Sequence, residues 1–254
     1  MNIAWESLGG GPPLLLIHGL GYDRHGWGPL PRLLSVDFRV LVFDNRGIGE
    51  SDVPPGPYST GEMAGDALGV LDAAGVERAH VIGTSLGGMV AQELVLAAPE
   101  RVDRLVLACT TPGHDTYPIP QRTLDLVARF PTLAPEEAYR LGVENALADR
   151  TVAERPELVE EIYAYRLAHP PNMAGWQAQA GASLGFDATP RLGEVRAPTL
   201  VQHGTGDHVV DVRNAPLLAE LVPGARLELY DELGHLFFWE EPGRVAADLR
   251  SFLL

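Results

Sequence analysis

The stretch Gly83-Thr84-Ser85-Leu86-Gly87-Gly88 constrains this chain most, because it joins an apolar run at Ala79–Ile82 to a helical pattern beginning at Leu86. A serine in a tight strand-to-helix turn brings backbone segments so close that only glycine fits at positions 83 and 87. Such a corner exposes the hydroxyl, and the Leu86 amide at a helix N-terminus favours negative charge in the same space. The stretch predicts either a nucleophilic serine beside an anion site or an ordinary glycine-rich connection.

Strands and helices alternate along most of the chain, which predicts the α/β class with a parallel sheet. The predicted strands are Asn2–Glu6, Leu14–Ile17, Arg39–Phe43, Ala79–Ile82, Arg104–Cys109, Thr199–His203 and Arg226–Tyr230. One predicted helix begins at the capping-box pair Ser59 and Glu62 and ends at Gly75. Others are predicted at Gly28–Leu34, at Val212–Leu221 and from Pro242 to the C-terminus.

The segment from Thr111 to about Pro190 has a different character, because it contains no convincing strand. Helical spacing instead recurs at Thr123–Phe130, Pro135–Leu147, Pro156–Ala168 and Asn172–Leu184. Prolines and glycines separate these short helices. We therefore predict a helical insertion in a single α/β core, which is compatible with a length of 254 residues.

The charge balance excludes a polyanionic partner, because the net charge is −15 and the sequence contains no lysine. The lone Cys109 cannot form an intrachain disulfide. The N-terminus lacks the pattern of a signal peptide, and Leu14–Ile17 is too short to cross a bilayer. Gly47-x-Gly49 lacks the third glycine of a dinucleotide fingerprint. We expect a cytoplasmic protein with no nucleic-acid or membrane partner, no metal and no cofactor; its oligomeric state is open.

The loops after the predicted strands carry the residues of a possible active site, since such loops converge at the carboxyl edge of a parallel sheet. Ser85, Asp207 and His235 each follow a different strand. A serine attacks only when a base removes its proton, and a carboxylate must orient that base. We predict Ser85 as nucleophile, His235 as base and Asp207 as its orienting acid. The amides of Leu20 and Leu86 are predicted to form an oxyanion hole.

Each of the predicted acid and base has rivals in the sequence. His18 is expected to order the loop that contains Leu20, His203 lies in a predicted strand, and His208 adjoins the acid. The rivals of Asp207 are Asp211, Asp231 and Asp115, of which the last follows the strand Arg104–Cys109. His235 and Asp207 are preferred because they occur in loops in the chain order Ser, Asp, His.

The motifs in this order resemble those of the α/β hydrolases over essentially the whole chain. They are His18-Gly19-Leu20-Gly21, Asp44 to Asp52, Gly83 to Gly88, Gly206-Asp207 and Gly234-His235. Ser51 to Tyr58 and the stretch His80 to Val106 are similar to 3-oxoadipate enol-lactonases and related esterases, although those lactonases often have methionine at the position of Leu86. The resemblance implies a mostly parallel eight-stranded sheet with helices on both faces. It also implies a core of 1–112 and 190–254 with a helical cap of 113–189.

A small carboxylic ester is the expected substrate, and Ser85, His235 and Asp207 would act through an acyl-enzyme. Lactone hydrolysis and cofactor-free perhydrolase or haloperoxidase chemistry remain alternatives, since these groups share the motifs; a ligand receptor with an idle triad is a further one. Candidate substrate-binding residues are Trp27, Met173, Trp176, Leu236 and Phe237. Arg122, Arg129, Arg140 and Arg166 are interpreted as solvated helix faces, with pairing to a substrate carboxylate as the alternative.

Overall fold

A twisted sheet positions the predicted site. In the computed structural model, which describes residues 1–113 and 116–254, its strands are β1 Trp5–Leu8, β2 Pro13–Ile17, β3 Arg39–Phe43, β4 Ala79–Thr84, β5 Val102–Ala108, β6 Thr199–Gly204 and β7 Arg226–Tyr230. The strand order is β1-β3-β2-β4-β5-β6-β7, with β1 antiparallel to β3 and all other neighbours parallel. The expected count of eight strands is wrong, because the short segment before β2 has room only for β1 and a glycine turn.

Helices cover both faces of this sheet and also fill the predicted insertion. Outside the insertion they are α1 Leu30–Leu34, α2 Thr60–Ala73, α3 Leu86–Ala97, α9 Asn214–Leu221, α10 Phe237–Glu240 and α11 Pro242–Leu253. Between β5 and β6 lie α4 Gln121–Arg129, α5 Pro135–Ala146, α6 Asp149–Glu154, α7 Pro156–Ala168 and α8 Met173–Leu184, which we call the cap. In the described ranges, no helix combines the length and apolar character that spanning a bilayer requires.

The capping box predicted before α2 is confirmed. The side chain of Ser59 accepts a hydrogen bond from the Glu62 amide, and the Glu62 side chain accepts one from the Ser59 amide. Two backbone donors that the helix itself leaves unpaired are satisfied in this way. The pair therefore fixes where α2 begins.

The central strands are buried on both sides because their residues alternate between two hydrophobic clusters. In β2, Leu15 and Ile17 join the cluster under α2 and α3, whereas Leu14 and Leu16 join the cluster under α1 and α11. This alternation follows from the period of two along a strand. A strand covered by helices on both faces needs apolar residues at every position, which explains the run Leu14–Ile17.

The chain reverses its direction of travel across the sheet between β2 and β4. It first adds β3 outside β2, then returns to place β4 on the other side of β2 and continues outward. In open α/β sheets, a crevice forms at the carboxyl ends of the strands at such a switch point. The loop after β2 and the turn after β4 meet there.

Candidate active site

Ser85 occupies the corner between β4 and α3 in a backbone conformation that few non-glycine residues adopt. Its φ is 55° and its ψ is −123°. Its amide donates to the Ala108 carbonyl at 2.9 Å, and its own carbonyl accepts a hydrogen bond from the Thr110 hydroxyl at 2.7 Å. In the described structure, the Ser85 side chain makes no capping bond to α3. These contacts hold the strained corner while leaving the hydroxyl available.

The glycines around Ser85 are required by close backbone approach. A Cβ added to Gly83 would overlap the Gly87 carbonyl, and one added to Gly87 would overlap the Ile17 carbonyl. Gly19, in the loop after β2, lies so close that its Cβ would sit 3.5 Å from Ser85 Oγ. The Gly19 backbone therefore lies directly beside the hydroxyl, as the switch-point topology requires.

His235 and Asp207 come together at the ends of β7 and β6. Nδ1 of His235 lies 2.7 Å from Oδ2 of Asp207, and both side chains are buried. Oδ1 of Asp207 accepts the amides of Val209 at 2.7 Å and Val210 at 3.0 Å. Burial by itself raises the pKa of Asp207, but the facing His235 and the imidazole hydrogen bonds outweigh it and hold that pKa well below its usual range. The carboxylate is thus ionised and orients His235 through Nδ1.

His203 is a second imidazole on the same carboxylate, and sequence reasoning gave it no role. Its Nε2 lies 2.9 Å from Asp207 Oδ2 and 3.1 Å from the Val210 carbonyl oxygen. Because a carbonyl oxygen only accepts, Nε2 carries the proton and donates. His203 lies in β6, four residues before Asp207. A position within a strand therefore did not prevent its side chain from contacting the predicted acid. His203 and His235 therefore contact the same carboxylate oxygen, Oδ2 of Asp207.

Cys109, Asp207 and His235 bring their ligand-type atoms within 4.8 Å of one another, which raises the question of a metal centre. Nδ1 of His235 is engaged by Asp207, and the Cys109 thiol donates to the His235 carbonyl oxygen at 3.1 Å. Burial raises the pKa of the Cys109 thiol far above its usual range, and metals bind the thiolate. The group is therefore a hydrogen-bonded support for His235.

The backbone amides around Ser85 differ in whether they have a hydrogen-bond partner. The Gly19 amide donates to His18 Nδ1 at 2.7 Å, and the Gly21 amide donates to Gln179 Oε1 at 3.0 Å. The Leu20 amide between them donates to no acceptor in the described residues. Leu86 is the first residue of α3, where a helix offers its amide no internal partner. Within residues 1–113 and 116–254, the amides of Leu20 and Leu86 are therefore unpaired, and their part in an oxyanion hole stays a prediction.

Comparisons with known proteins identify the fold family of this chain. The family model for the alpha/beta hydrolase fold matches residues 12–242. The chain belongs to the α/β-hydrolase fold family. Among its relatives, RutD of Azorhizobium caulinodans, which is named as a carbamate hydrolase, is 35% identical over 237 residues, covering 93% of this chain and 89% of that protein.

Solved structures of other α/β hydrolases superpose over nearly the whole chain. The enol-lactonase of Burkholderia xenovorans is 25% identical with a TM-score of 0.85, covering 99% of this chain and 96% of that chain. BpoC of Mycobacterium tuberculosis, which is named as a non-heme bromoperoxidase, is 27% identical with a TM-score of 0.87, covering 100% and 96%. The protein is therefore a hydrolase of this fold.

Three of the rivals of the acid and base, Asp211, Asp231 and His208, have other partners in this α/β hydrolase. Asp211 binds Arg213 at the surface, Asp231 accepts from the Thr205 hydroxyl, and Asp115 lies outside the described residues. His208 lies 3.3 Å from Asp149. His18 accepts a hydrogen bond from the Gly19 amide, in the loop that contains Leu20. This contact is consistent with the expectation that His18 orders that loop.

The predicted substrate-binding residues divide between core and surface. Trp27 packs on His18 and Phe238, and Phe237 stacks on Tyr230 at 4.7 Å. Leu236 is buried directly after His235. Met173, at the start of α8, is 55% exposed. Trp176 covers Gly21, since a Cβ on that glycine would lie 2.5 Å from its ring.

The interpretation of the cap arginines as solvated helix faces is wrong for Arg166. Arg122 pairs with Asp149, Arg140 pairs with Glu160, and Arg129 is exposed. Arg166 is only 8% exposed and donates from Nη1 to the Gly21 carbonyl oxygen. The helical period of α7 could not reveal this, because the partner lies 145 residues earlier in the chain.

Proposed function

We propose that this protein is a carboxylic ester hydrolase acting through Ser85, His235 and Asp207. The observation that carries the proposal is the 2.7 Å contact between His235 Nδ1 and Asp207 Oδ2 beside a serine held at a φ of 55°. A neutral imidazole oriented by a carboxylate is the base that a serine hydroxyl needs. The ionised Asp207 and the strained corner support this assignment together.

In the proposed mechanism, Ser85 Oγ attacks the ester carbonyl carbon while His235 Nε2 takes the hydroxyl proton. The amides of Leu20 and Leu86 stabilise the resulting oxyanion. The intermediate collapses to an acyl-enzyme, and the alcohol leaves with the proton from His235. Water then attacks the acyl carbon and gives a proton to His235, and His235 returns this proton to Ser85 Oγ as the bond to the acyl carbon breaks and the acid is released.

A first test uses a short-chain p-nitrophenyl ester and the variant Ser85→Ala. We expect the wild type to release p-nitrophenol and kcat to fall by about 10⁴-fold or more in the variant. Ser251→Ala, an exposed serine in α11, is the matched control and should retain activity. Fluorophosphonate labelling followed by peptide mass spectrometry should place the adduct on Ser85. Full activity in Ser85→Ala would disprove the mechanism.

The names of the relatives favour three further substrates for the same acyl chemistry. Lactones are suggested by the enol-lactonase, carbamates by RutD, and peroxide as the second acceptor by BpoC. With peroxide in place of water, the acyl-enzyme would release a peracid. Values of kcat/KM for an ester, a lactone and an aryl carbamate would show which of these substrates the enzyme prefers. Peroxide-dependent bromination of a dye would show whether peroxide replaces water.

A further inference from the structure

The loop after β2 carries the Leu20 amide but contains little that would fix it. Glycines stand on both sides of Leu20, and Gly21 has a φ of 70°, which a residue with a Cβ rarely adopts. An oxyanion donor contributes most when it is held in position before the reaction. A loop of this composition therefore needs restraint from outside itself.

Gln179 supplies one restraint from α8 of the cap. The side chain is fully buried, and its Oε1 accepts the Gly21 amide at 3.0 Å. Its Nε2 donates to the Arg46 carbonyl at 2.8 Å, in the loop after β3. One cap side chain thus ties two core loops together through both of its polar atoms.

The docking of α8 onto the core keeps Gln179 in place. Gly175, one turn earlier, lies against Gly47 so closely that a Cβ on it would overlap the Gly47 carbonyl. Trp176 covers Gly21 from the same helix. The contact of α8 with both loops is therefore a close backbone approach, in which Gln179 has little freedom to move.

Arg166 supplies the second restraint from α7. Its Nη1 donates to the Gly21 carbonyl oxygen, and its guanidinium lies 4.5 Å from the centroid of the Tyr22 ring. The neighbouring Tyr165 hydroxyl donates to Asp23 at 2.8 Å, in the same loop. A buried arginine is uncommon unless its donors are used, and here one is used on the loop backbone.

We propose that Arg166 and Gln179 are positioning residues, which hold the peptide groups on the two sides of Gly21 and thereby fix the Leu20 amide for the oxyanion. This inference rests on the ester hydrolase function proposed above. It makes the cap part of the oxyanion site as well as a cover over it. Neither side chain needs to touch the substrate.

The test replaces each polar head by an apolar group of similar length, in Arg166→Met and Gln179→Leu. We expect kcat for a p-nitrophenyl ester to fall about 10- to 100-fold. A misplaced Leu20 amide weakens the hydrogen bond to the oxyanion, and this bond forms only in the transition state. KM should change by less than about threefold. Affinity for a trifluoromethyl ketone, which forms a tetrahedral adduct with the serine, should fall by the same factor as kcat. Arg150→Met and Gln177→Leu, at exposed positions of the cap, are the matched controls.

Conservative variants separate positioning from general packing. Gln179→Glu keeps an acceptor for the Gly21 amide and should retain kcat within about tenfold of wild type, whereas the shorter Gln179→Asn should lose as much as Gln179→Leu. Guanidinium at millimolar concentration should partly restore kcat in Arg166→Ala. If Arg166→Met or Gln179→Leu does not fold, the comparison of Gln179→Glu with Gln179→Asn and the guanidinium rescue of Arg166→Ala test the positioning role instead.

Three results would overturn the inference: unchanged kcat in Arg166→Met and Gln179→Leu, a rise in KM at constant kcat, or equal losses in Gln179→Glu and Gln179→Asn. Each is distinguishable from failure of the proposed function. If Ser85→Ala abolishes turnover while the cap variants remain fully active, only the positioning role is wrong. Full activity in Ser85→Ala would remove the basis of both.

Discussion

At the scale of single residues, His18 shows how burial sets a protonation state next to the Ser85 corner. Its Nδ1 accepts the Gly19 amide, so the proton of the neutral ring is on Nε2. The ring contacts Tyr22, Trp27 and Phe238. This burial lowers the pKa of His18 from 6.5 to about 4, with the charges of nearby side chains and a backbone hydrogen bond as smaller effects. The ring is therefore neutral at physiological pH.

Since the folded-state pKa of His18 lies below its ordinary value, acid should destabilise the protein through this residue. The unfolded chain takes up the proton first, so the contribution to stability is complete above pH 6.5 and is lost as the pH falls toward 4. Between pH 7 and pH 5 this loss is about 2 kcal/mol. His18→Asn keeps an acceptor for Gly19 and does not titrate. Urea unfolding at the two pH values should show a loss about 2 kcal/mol smaller in the variant; equal losses would contradict the prediction.

Sequence reasoning found the residues that follow strands and missed those whose importance depends on a distant partner. Ser85, Asp207 and His235 were found because the ends of parallel strands converge. Gln179 is fully buried and Gln177 is exposed, yet both are glutamines two positions apart in one helix pattern. What distinguishes them is the loop at Gly21, 158 residues from Gln179. No local pattern contains that information.

At the scale of elements, the short helix α10 connects the loop of His235 to the cap. Its last residue, Glu240, is buried and accepts the Gly234 amide at 2.9 Å and the Ala148 amide at 2.8 Å. Gly234 directly precedes His235, and Ala148 lies between α5 and α6. One carboxylate therefore satisfies two backbone donors that belong to different parts of the fold.

The variant Glu240→Gln should be less stable than the wild type, because an amide offers one acceptor to two backbone donors. A buried donor left unpaired costs about 1–3 kcal/mol, and we expect the free energy of unfolding to fall by that amount. Glu241→Gln, at the neighbouring exposed position, is the control and should change stability by less than about 0.5 kcal/mol. Urea unfolding monitored by circular dichroism measures both, and equal stability of the two variants would refute this role of Glu240.

Element boundaries were predictable where a local signal sets them. The strands Arg39–Phe43 and Arg226–Tyr230 and the helix Pro156–Ala168 have the predicted bounds. The first strand was expected at Asn2–Glu6 but is Trp5–Leu8, because its register is set by pairing with β3, where Trp5 lies opposite Phe43. The short helices α6 and α10 were missed, since one or two turns are too short to show a helical period.

At the scale of the whole molecule, the cap shares its hydrophobic core with the sheet. Val143 of α5 and Ile162 of α7 belong to the same cluster as Trp27 and Phe238. Ala182 of α8 belongs to the other cluster, under α2 and α3. Helices without a core of their own are stable only while they pack on the rest of the chain. The cap and the sheet should therefore not unfold independently.

A substitution outside the cap should test this coupling. Leu249 is buried in α11, in the same cluster as Ile162 of α7, and Leu249→Ala should lower the free energy of unfolding by about 2–5 kcal/mol. If the molecule unfolds as one unit, hydrogen exchange measured by mass spectrometry should show the same loss of protection in peptides from α7 and from β5. Leu254→Ala, at an exposed position, should leave both unchanged. A loss of protection confined to α11 and the strands, with α7 unaffected, would mean that the cap is held by its own contacts, and the positioning of Gly21 would then be independent of sheet stability.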